Sequence, residues 1–567
     1  MESTHRTRSH IRGAAMWLLL PRLKTPLIAL IITYSVSILG LVLIPGQEPG
    51  GGVYYLSFLD AFFVVSYTAT TIGFGEIPHP FTALQKMWML FVMYSTVIAW
   101  LYAIGSVLSV ISDPGFRRLR AYQRTVGRIQ AHKQPFWIVC GYGGAGNQVI
   151  RFMDQSGIRS VMIESNQTRA DTAKLSDMTY DLDVLVGDAS EPQTLVDAGV
   201  QSALCRGVLA LTDHNQTNLT IATNTRILAP RVLVHARSES DANTRNLRSF
   251  NTDVVIDPAR VAARSLTQLI RKPRAFALYH ELVDPDFNQI EILNVPDFGH
   301  WVVCAEDRLA DNITEAFLRA EIPFCLVSPE VSTIADSITW VQGLGTEANT
   351  LRQARITEAV GIVAGTNDDG DNLSILLTAQ TENERLITVA RRNKPTSEPV
   401  FRQGNFHYVL REGRIIAQEM YARITTPLLH QFIGQLEVMP EALVQGIIEK
   451  LNQRLGNQSP DLAHFDISLD AEDAPGVLPF LNTARGPKVA DLLVDPGANH
   501  PNMPLICLLL VRFNGDLVPF PGEGLLLEEN DRMLLWGAAG SHHRLHLLIR
   551  RADLFESVLS SRRKTAG

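Results

Sequence analysis

Hydrophobic positions in this chain are segregated rather than spread. Thr25 to Ile44, TPLIALIITYSVSILGLVLI, is twenty residues without a charge. At about 1.5 Å per residue it covers roughly 30 Å, the thickness of a bilayer's hydrocarbon. Pro26 falls in the first turn, where a missing N–H costs little. Met87 to Ile111 is a second uncharged run, long enough to cross with some tilt. Between them, Asp60 to Thr70 (DAFFVVSYTAT) is apolar but only half long enough to cross. It runs into Thr71-Ile72-Gly73-Phe74-Gly75-Glu76, with Pro78 and Pro80 beyond. Irregular backbone survives at membrane depth only where protein or a water-filled path satisfies its polar groups. The pattern therefore predicts two transmembrane helices with a re-entrant helix and loop between them. A cleaved signal peptide fits poorly, because the first run is too long and no small-residue cleavage site follows it.

Past residue 134 the pattern becomes short apolar strands alternating with helical stretches. Phe136–Cys140 predicts a strand, Gly141-x-Gly143-x-x-Gly146 a tight turn, and Asn147–Gln155 the start of a helix. A second strand, Val161–Ile163, ends on Glu164. Such glycines allow a pyrophosphate to approach the helix N-terminus closely, and the acid suits ribose hydroxyls. Further strands are expected at Val184–Val186, Gly207–Leu211, Arg231–Ala236 and Val254–Ile256. The unit then repeats. VLALTDHNQTNL (208–219) matches IVAGTNDDGDNL (362–373) at an offset of 154, which also sets Arg237 on Arg391, while WIVC at 137 meets WVVC at 301. One offset held over about fifty residues marks an internal duplication. Opposite the glycine turn the second copy reads Cys304-Ala305-Glu306-Asp307-Arg308, whose bulk and charge oppose a pyrophosphate.

Composition and charge refine this picture. A chain of 567 residues exceeds one hydrophobic core. From Thr25 to Gln85 there is no Lys or Arg, and the acids are Glu48, Asp60 and Glu76. Arg6, Arg8, Arg12, Arg22 and Lys24 precede the first run, and Arg117, Arg118, Arg120, Arg124 and Arg128 follow the second. By the positive-inside rule both ends face the cytoplasm and the loop faces out. The net charge of −7 gives no reason to expect a nucleic-acid partner. Five cysteines, all beyond the apolar runs and without metal spacing, suit a reducing compartment. No segment supplies a hydride-transfer partner or substrate domain, so no enzyme activity is expected.

The loop's residue types suit one chemistry. Gly73 and Gly75 alternate with Ile72 and Phe74, and glycine reaches positive φ at little cost. Alternating backbone of that kind turns consecutive carbonyls to one side, where rings of them, with the Thr71 hydroxyl below, replace a cation's hydration shell. One chain carries one such loop and a ring needs about four, so a homotetramer follows, with Met87–Ile111 lining the pore. Gly105 in that helix is either a gating hinge or a close-packing contact.

TTIGFGE resembles the signature of the potassium-channel superfamily, with Phe74 where Tyr is commoner and Glu76 where Asp is commoner. The loss of the phenol hydroxyl removes one hydrogen bond behind the filter. Two Rossmann units behind a two-helix pore resemble channels with regulator-of-potassium-conductance (RCK, or KTN) domains, in particular the prokaryotic group with two per subunit. The resemblance covers nearly the whole chain. It implies a multidomain protein: an α-helical pore with a re-entrant pore helix, two Rossmann-like α/β domains and a small α+β C-terminal lobe. The corresponding boundaries are 1–24 cytoplasmic, 25–111 pore, 112–134 linker, 135–285 and 286–435 for the two units, 436–550 for the lobe and 551–567 as tail. Residues 502–537 carry the lobe's pattern, and 440–500 say little. The implied filter is Thr71, Ile72, Gly73, Phe74 and Gly75, with potassium as the permeant ion in a cell (inner) membrane.

The same resemblance implies a gating ring that senses NAD or ADP. Gly141, Gly143 and Gly146 would hold phosphate, Glu164 ribose and Asp188 the adenine, with Thr212 and Arg237 near the phosphates. It also admits calcium as a ligand, with Glu306, Asp307, Asp368, Asp369 and Asp371 as candidate carboxylates. The HHRLH run at 542–546 reads as a helix surface. Two other functions use the same parts: a weakly selective ligand-gated cation channel, and the nucleotide-sensing regulatory subunit of a separate potassium transporter. The filter within the chain argues against the second.

Overall fold

Helices α1 (Lys24–Leu43) and α3 (Ala83–Ser112) carry the two apolar runs. Both are long and apolar enough to cross a membrane, and fewer than a quarter of the residues in their most apolar stretches are buried, 22% and 17%. A core helix of a water-soluble protein would hide most of that surface. The computed structural model describes residues 24–565 except 49, 77–78, 285–291, 297–298, 331–337, 456–461, 482, 484–485, 498–500 and 539. The basic N-terminal residues before Lys24 and Pro78 lie outside that description. The chain divides at Arg128/Ile129 into two units.

In the first unit α1 and α3 meet at Gly40, where a Cβ would stand 2.1 Å from the Trp88 indole. Glycine is required there for close approach. The Trp88 Nε1–H donates to the Ser37 carbonyl and the Trp100 Nε1–H to the Tyr34 hydroxyl, both at 3.1 Å. The short helix α2 (Phe58–Ala69) is the predicted half-span. Ser57 caps it by accepting from the Asp60 N–H at 3.1 Å, and Ala61, Val64 and Val65 pack it against Leu41 and Val92. Thr82 starts α3 with a reciprocal cap to Gln85. Residues expected to be a linker form helix α4 (Pro114–Gln130).

The second unit contains two parallel six-stranded sheets of the same topology. The first comprises β1 (Phe136–Cys140), β2 (Arg159–Glu164), β3 (Asp183–Val186), β4 (Cys205–Ala210), β5 (Leu233–Arg237) and β6 (Val254–Ile256), in the order β3-β2-β1-β4-β5-β6. The second comprises β7 (Trp301–Ala305), β8 (Phe324–Ser328), β9 (Thr339–Gln342), β10 (Gly361–Gly365), β11 (Ile387–Arg392) and β12 (Tyr408–Arg411), in the order β9-β8-β7-β10-β11-β12. Central strands β1 and β7 are buried along their whole length, as helices on both faces of a parallel sheet demand. The duplication is visible in the packing. Trp137 covers Gly207 and Trp301 covers Gly361, where a Cβ would lie 2.1 and 2.4 Å from the rings.

Helices α5 (Gly144–Gln155), α6 (Pro258–Arg271), α7 (Pro273–Val283), α8 (Asp307–Arg319), α9 (Asp369–Glu382), α10 (Glu412–Thr425), α11 (Pro427–Val438) and α12 (Glu441–Leu455) complete the pair. The last helix of each repeat packs on the other repeat: α6 on α8, and α10 on α5. The exchange is wired with charge. Arg414 binds the buried Asp284, which also accepts from Gln418 at 2.7 Å, and Arg264 binds Glu419. Beside them burial pushes the His280 imidazole down to about 3, so it stays neutral.

The C-terminal lobe is larger than its sequence pattern suggested. Its antiparallel sheet has the order β13-β16-β14-β15, from β13 (Leu462–Ser468), β14 (Leu505–Val511), β15 (Leu517–Pro519) and β16 (Arg532–Ala538). Strand β13 comes from the stretch that said little. The expected tail is instead helix α14 (Ala552–Thr565), following α13 (Gly540–Arg550), and its Phe555 and Val558 are fully buried in the lobe's core.

Asp466 on β13 accepts the Leu428 N–H at the start of α11 at 3.4 Å, while its Oδ1 is buried without a partner. Burial pushes its carboxyl up to about 6 from 3.8, despite that N–H and the nearby Arg532. An acid raised in the fold contributes stability below its unfolded value and loses it as pH rises through the folded one. Asp466→Asn is therefore expected to be more stable than the parent at pH 7.5, by about 1–3 kcal/mol for a shift of this size. Below about pH 4 the advantage should vanish, which thermal denaturation across pH checks.

Candidate ion-filter and nucleotide sites

The expected filter follows directly from the C-terminus of α2. Thr71, Gly73 and Gly75 take φ of +61°, +70° and +94°, whereas Ile72 and Phe74 do not share that region, so handedness alternates residue by residue. A Cβ on Gly73 or Gly75 would meet nothing within 4 Å, so the backbone conformation and not space requires glycine. Thr71 holds a left-handed conformation that β-branched residues avoid. Its N–H bonds the Thr68 carbonyl at 3.1 Å and the next N–H, of Ile72, bonds the Tyr67 carbonyl at 2.9 Å. The loop thus hangs from the last carbonyls of α2, the end of a helix that favours positive charge.

Tyr67 then closes the loop from behind, its hydroxyl donating to the Gly75 carbonyl. The Phe74 ring stands edge-on to Tyr67 at 5.7 Å and stacks on Phe63 at 6.0 Å. Phe74 has no hydroxyl to donate, and the Tyr67 hydroxyl of α2 supplies a hydrogen bond to this loop. Sequence reasoning passed over Tyr67; its place four residues before Thr71, on the buried face of an apolar half-helix, was the available signal. Glu76 accepts the Phe81 N–H at 2.8 Å and lies 3.4 Å from Lys86. Helix α3 runs unbroken through Gly105, where a Cβ would meet nothing within this chain.

In the second unit the first glycine turn sits where strand order reverses, at the C-terminal ends of β1 and β4, the usual ligand crevice of such sheets. Gly141 has φ +99°, and its Cβ would lie 3.3 Å from Thr212. At Gly146 a Cβ would fall 1.9 Å from the Gly141 carbonyl oxygen, so only glycine lets α5 approach the strand. Gly143 faces Asp213, 3.6 Å from its would-be Cβ. Glu164, buried at the end of β2, accepts the Tyr142 N–H at 2.6 Å and the Asn166 N–H at 2.8 Å. The fold therefore brings together Gly141, Gly143, Gly146, Glu164, Thr212 and Arg237. Asp188, one strand further out, is exposed and folds its own loop by accepting from Ser190 N–H and hydroxyl at 2.8 and 2.7 Å.

The repeated Thr, Asn and Arg have a structural task. Asn218 accepts from the Thr212 N–H and donates to the Thr212 and Arg237 carbonyls, at 3.0, 2.9 and 3.1 Å. Asn372 does the same with Thr366 and Arg391 at 2.8, 3.0 and 2.9 Å. Each staples two adjacent strand ends. The Arg237 side chain is enclosed by three carboxylates: Asp213 at 3.0 Å, Glu239, and Glu412 from the first turn of α10. Glu412 and its neighbour Gly413, whose Cβ would stand 2.7 Å from the Gly144 backbone, were invisible in the local sequence because the other repeat supplies them.

In the second turn Asp307 takes φ +53°, Glu306 accepts the Asn367 N–H at 2.7 Å and Asp307 the Asn367 side-chain amide at 2.7 Å. Arg308 crosses to Asp241 at 2.8 Å and to Asp257. Asp368 caps α9, accepting from Gly370 N–H at 2.7 Å. Burial of Asp369 would raise its carboxyl, but the Ser397 hydroxyl and the N–H groups of Asn393 and Lys394 outweigh that and hold it low. Glu306, Asp307, Asp368 and Asp369 are thus engaged with protein donors, and Asp371 lies in the first turn of α9. Among the described residues no three acids, histidines or cysteines gather to hold a metal ion.

The TrkA-N domain profile matches residues 137–258 and 301–412, which are the two sheets just described. Both segments are thus similar to TrkA-N domains. Potassium channel protein 1 of Methanocaldococcus jannaschii is 24% identical over 226 residues, 40% of this chain and 66% of the relative. The voltage-gated potassium channel Kch of Escherichia coli is 23% identical over 216 residues, 38% of this chain and 50% of the relative. The chain thus spans less than two thirds of either. Among solved structures, the GsuK channel is similar with a TM-score of 0.48 and 16% identity over 97% of this chain and all of that one. A GsuK channel bound to NAD has a TM-score of 0.45 at 16% identity, over 94% and 99% of the two chains.

The two matched segments differ at their turns, and Gly146 marks the difference most sharply. Gly146→Ala is expected to lower stability by about 1–3 kcal/mol, the usual cost of forced overpacking. Gly144→Ala, whose Cβ meets nothing within 4 Å, should leave the melting temperature unchanged or raised. Thermal melts of both variants check the pair.

Proposed function

We propose that this chain is one subunit of a tetrameric potassium-selective channel whose tandem TrkA-N domains sense an adenine nucleotide such as NAD or ADP. The observation that carries the pore reading is the left-handed alternation at Thr71, Gly73 and Gly75, set between two long apolar helices. That alternation presents successive carbonyls to one side, the geometry that replaces a cation's water. The Tyr67 hydroxyl and the C-terminal end of α2 support the same strip from behind. Ile72 and Phe74 are 61% and 62% exposed in one subunit, which suits a filter completed by three further copies. Relatives that carry potassium-channel names favour potassium as the ion.

The nucleotide reading rests on the first TrkA-N domain. Its glycines leave backbone N–H groups at the start of α5 open to a pyrophosphate, and Glu164 stands at the end of the neighbouring strand. In the second domain Glu306 and Asp307 occupy the corresponding turn, so the pair is asymmetric and one nucleotide per chain is expected. The protein reads the nucleotide without turning it over. Its occupancy reaches α3 through the intervening segment 113–134, and the pore lies in a cell membrane with the TrkA-N domains in the cytoplasm.

Recording in planar bilayers with NAD and ADP added to the cytoplasmic side tests both halves. Parent protein should pass potassium over sodium, and the open fraction should change with one of the nucleotides. Gly73→Ala should abolish selective current while calorimetry still records nucleotide binding. Selective current from that variant would overturn the pore assignment. Absence of binding heat with both NAD and ADP would overturn the sensor.

A further inference from the structure

The two exchanged helix pairs are related by the duplication, and comparing them position by position exposes a difference. Offsets of 154 and 164 residues relate α6 to α10 and α5 to α8. Where α10 crosses α5, the angle between the helices is plugged by aromatic rings. Phe152 and Tyr421 meet edge-on at 5.8 Å, and the Tyr421 hydroxyl accepts from Ser156 at 3.2 Å. Where α6 crosses α8 the corresponding residues are Ala316 for Phe152, Thr267 for Tyr421 and Ala320 for Ser156. The plug is missing, and a groove of about 750 Å³ opens, bounded also by Arg248 of the helix Asp241–Ser249 and by α10. That is within the range of sites that enclose small organic ligands.

The charge has changed with the shape. Arg264, Arg271, Lys272 and Arg319 line the open groove where the plugged counterpart has Gln418, Thr425, Thr426 and Gln155. Arg423 of α10 faces the groove where the counterpart has Leu269. Seven basic side chains border it against four acidic ones. The acids are already engaged: Glu419 and Glu437 with Arg264, Glu315 with Arg319 and Asp257 with Arg308. Three cations have no carboxylate among the described residues. Arg271 donates to the Ala320 carbonyl at 3.1 Å and to the Glu321 carbonyl, Lys272 donates to the Glu437 carbonyl and to the Met439 carbonyl at 3.2 Å, and Arg248 borders the groove without an ion pair among the described residues. The Arg423 Nε is buried with no acceptor. Val261, Ala263, Ala316 and Ala320 give the groove an apolar lining.

We infer that this groove is a second ligand site, distinct from the glycine turn, for a small organic anion carrying two or more phosphate charges. Its phosphates would meet Arg248, Arg271 and Arg319, and its apolar portion would lie on Ala316 and Val261. A site between α6, α8 and α10 touches both repeats, so an anion bound there biases their packing independently of the first turn. The inference stands on the comparison of the two copies and does not require a nucleotide at the glycine turn.

Calorimetry on the full-length protein in detergent tests it with two probes, inorganic tripolyphosphate and dioctanoyl phosphatidic acid. Arg248→Glu combined with Arg319→Glu reverses two exposed charges without touching the core. Thr267→Tyr combined with Ala316→Phe restores the plug of the other copy. Both doubles are expected to weaken the probe about tenfold or more, with parent binding falling as salt rises. The part of the NAD and ADP heats that Gly146→Ala removes, which belongs to the glycine turn, should be unchanged in the same variants. Binding of tripolyphosphate identifies a soluble polyphosphate as the ligand type, and binding of the lipid alone identifies a headgroup. Binding of neither probe overturns the inference, as does binding that both doubles leave untouched. A change in oligomeric state of the doubles without a change in affinity would also overturn it, assigning the groove to a second copy of the chain.

Discussion

The exchange of terminal helices between the two repeats is the constraint on which the rest of the second unit depends. Neither α6 nor α10 packs mainly on the sheet it follows; each crosses to the partner's first helix. The contact is close, since a Cβ on Gly413 would strike the Gly144 backbone. It is also charged, through Arg414 with Asp284 and Arg264 with Glu419. Removing one member of such a buried pair strands its partner's charge, which makes partial separation of the repeats costly. Two domains that each have their own sheet thereby behave as a single packed body.

A consequence is that each turn is finished by residues from elsewhere in the chain. Arg237 of the first domain is held by Asp213 and Glu239 from its own strand ends and by Glu412 from the exchanged helix. Glu412 also lies 3.7 Å from Arg391 of the second domain. One carboxylate thus touches corresponding arginines of both copies. Any anion that draws on Arg237 competes with Glu412, and the first turn of α10 registers the outcome. Glu412 thereby ties the seating of the two copies together.

What the copies share and where they part separates scaffold from function. The Trp–Gly contact and the Thr–Asn–Arg staple recur in both domains with the same geometry. Much of the repeat signal in the sequence is therefore backbone architecture, and Thr212 and Arg237 stood out for that reason as much as for any ligand. Divergence is concentrated at the glycine turn and in the crossing of the exchanged helices. There Gly143 gives way to Asp307, and Phe152 with Tyr421 gives way to Ala316 with Thr267.

Much of the architecture was legible in the chain's one-dimensional pattern. The two spans, the half-helix before TTIGFG, the buried strands and the duplication follow from periodicity and run length, because burial in lipid or in a parallel sheet leaves a local apolar signature. Glycines at 73, 75, 141 and 146 were legible too, since positive φ and close approach exclude other side chains at single positions. Other features were not. Strand β13 and helix α14 gave no strong pattern, because half-covered elements mix polar and apolar residues. Tyr67 behind the TIGFG loop, Glu412 against Arg237 and the open groove at Ala316 each need residues apart in sequence to be placed together. Sequence by itself determined which segments are long and apolar enough to cross a membrane, which turn and which repeat, since those depend on residues near one another in the chain. Tertiary structure alone decided which carboxylates guard which arginine and which helix crossing stays open, because those depend on contacts between elements separated in the chain, by 175 residues for Arg237 and Glu412.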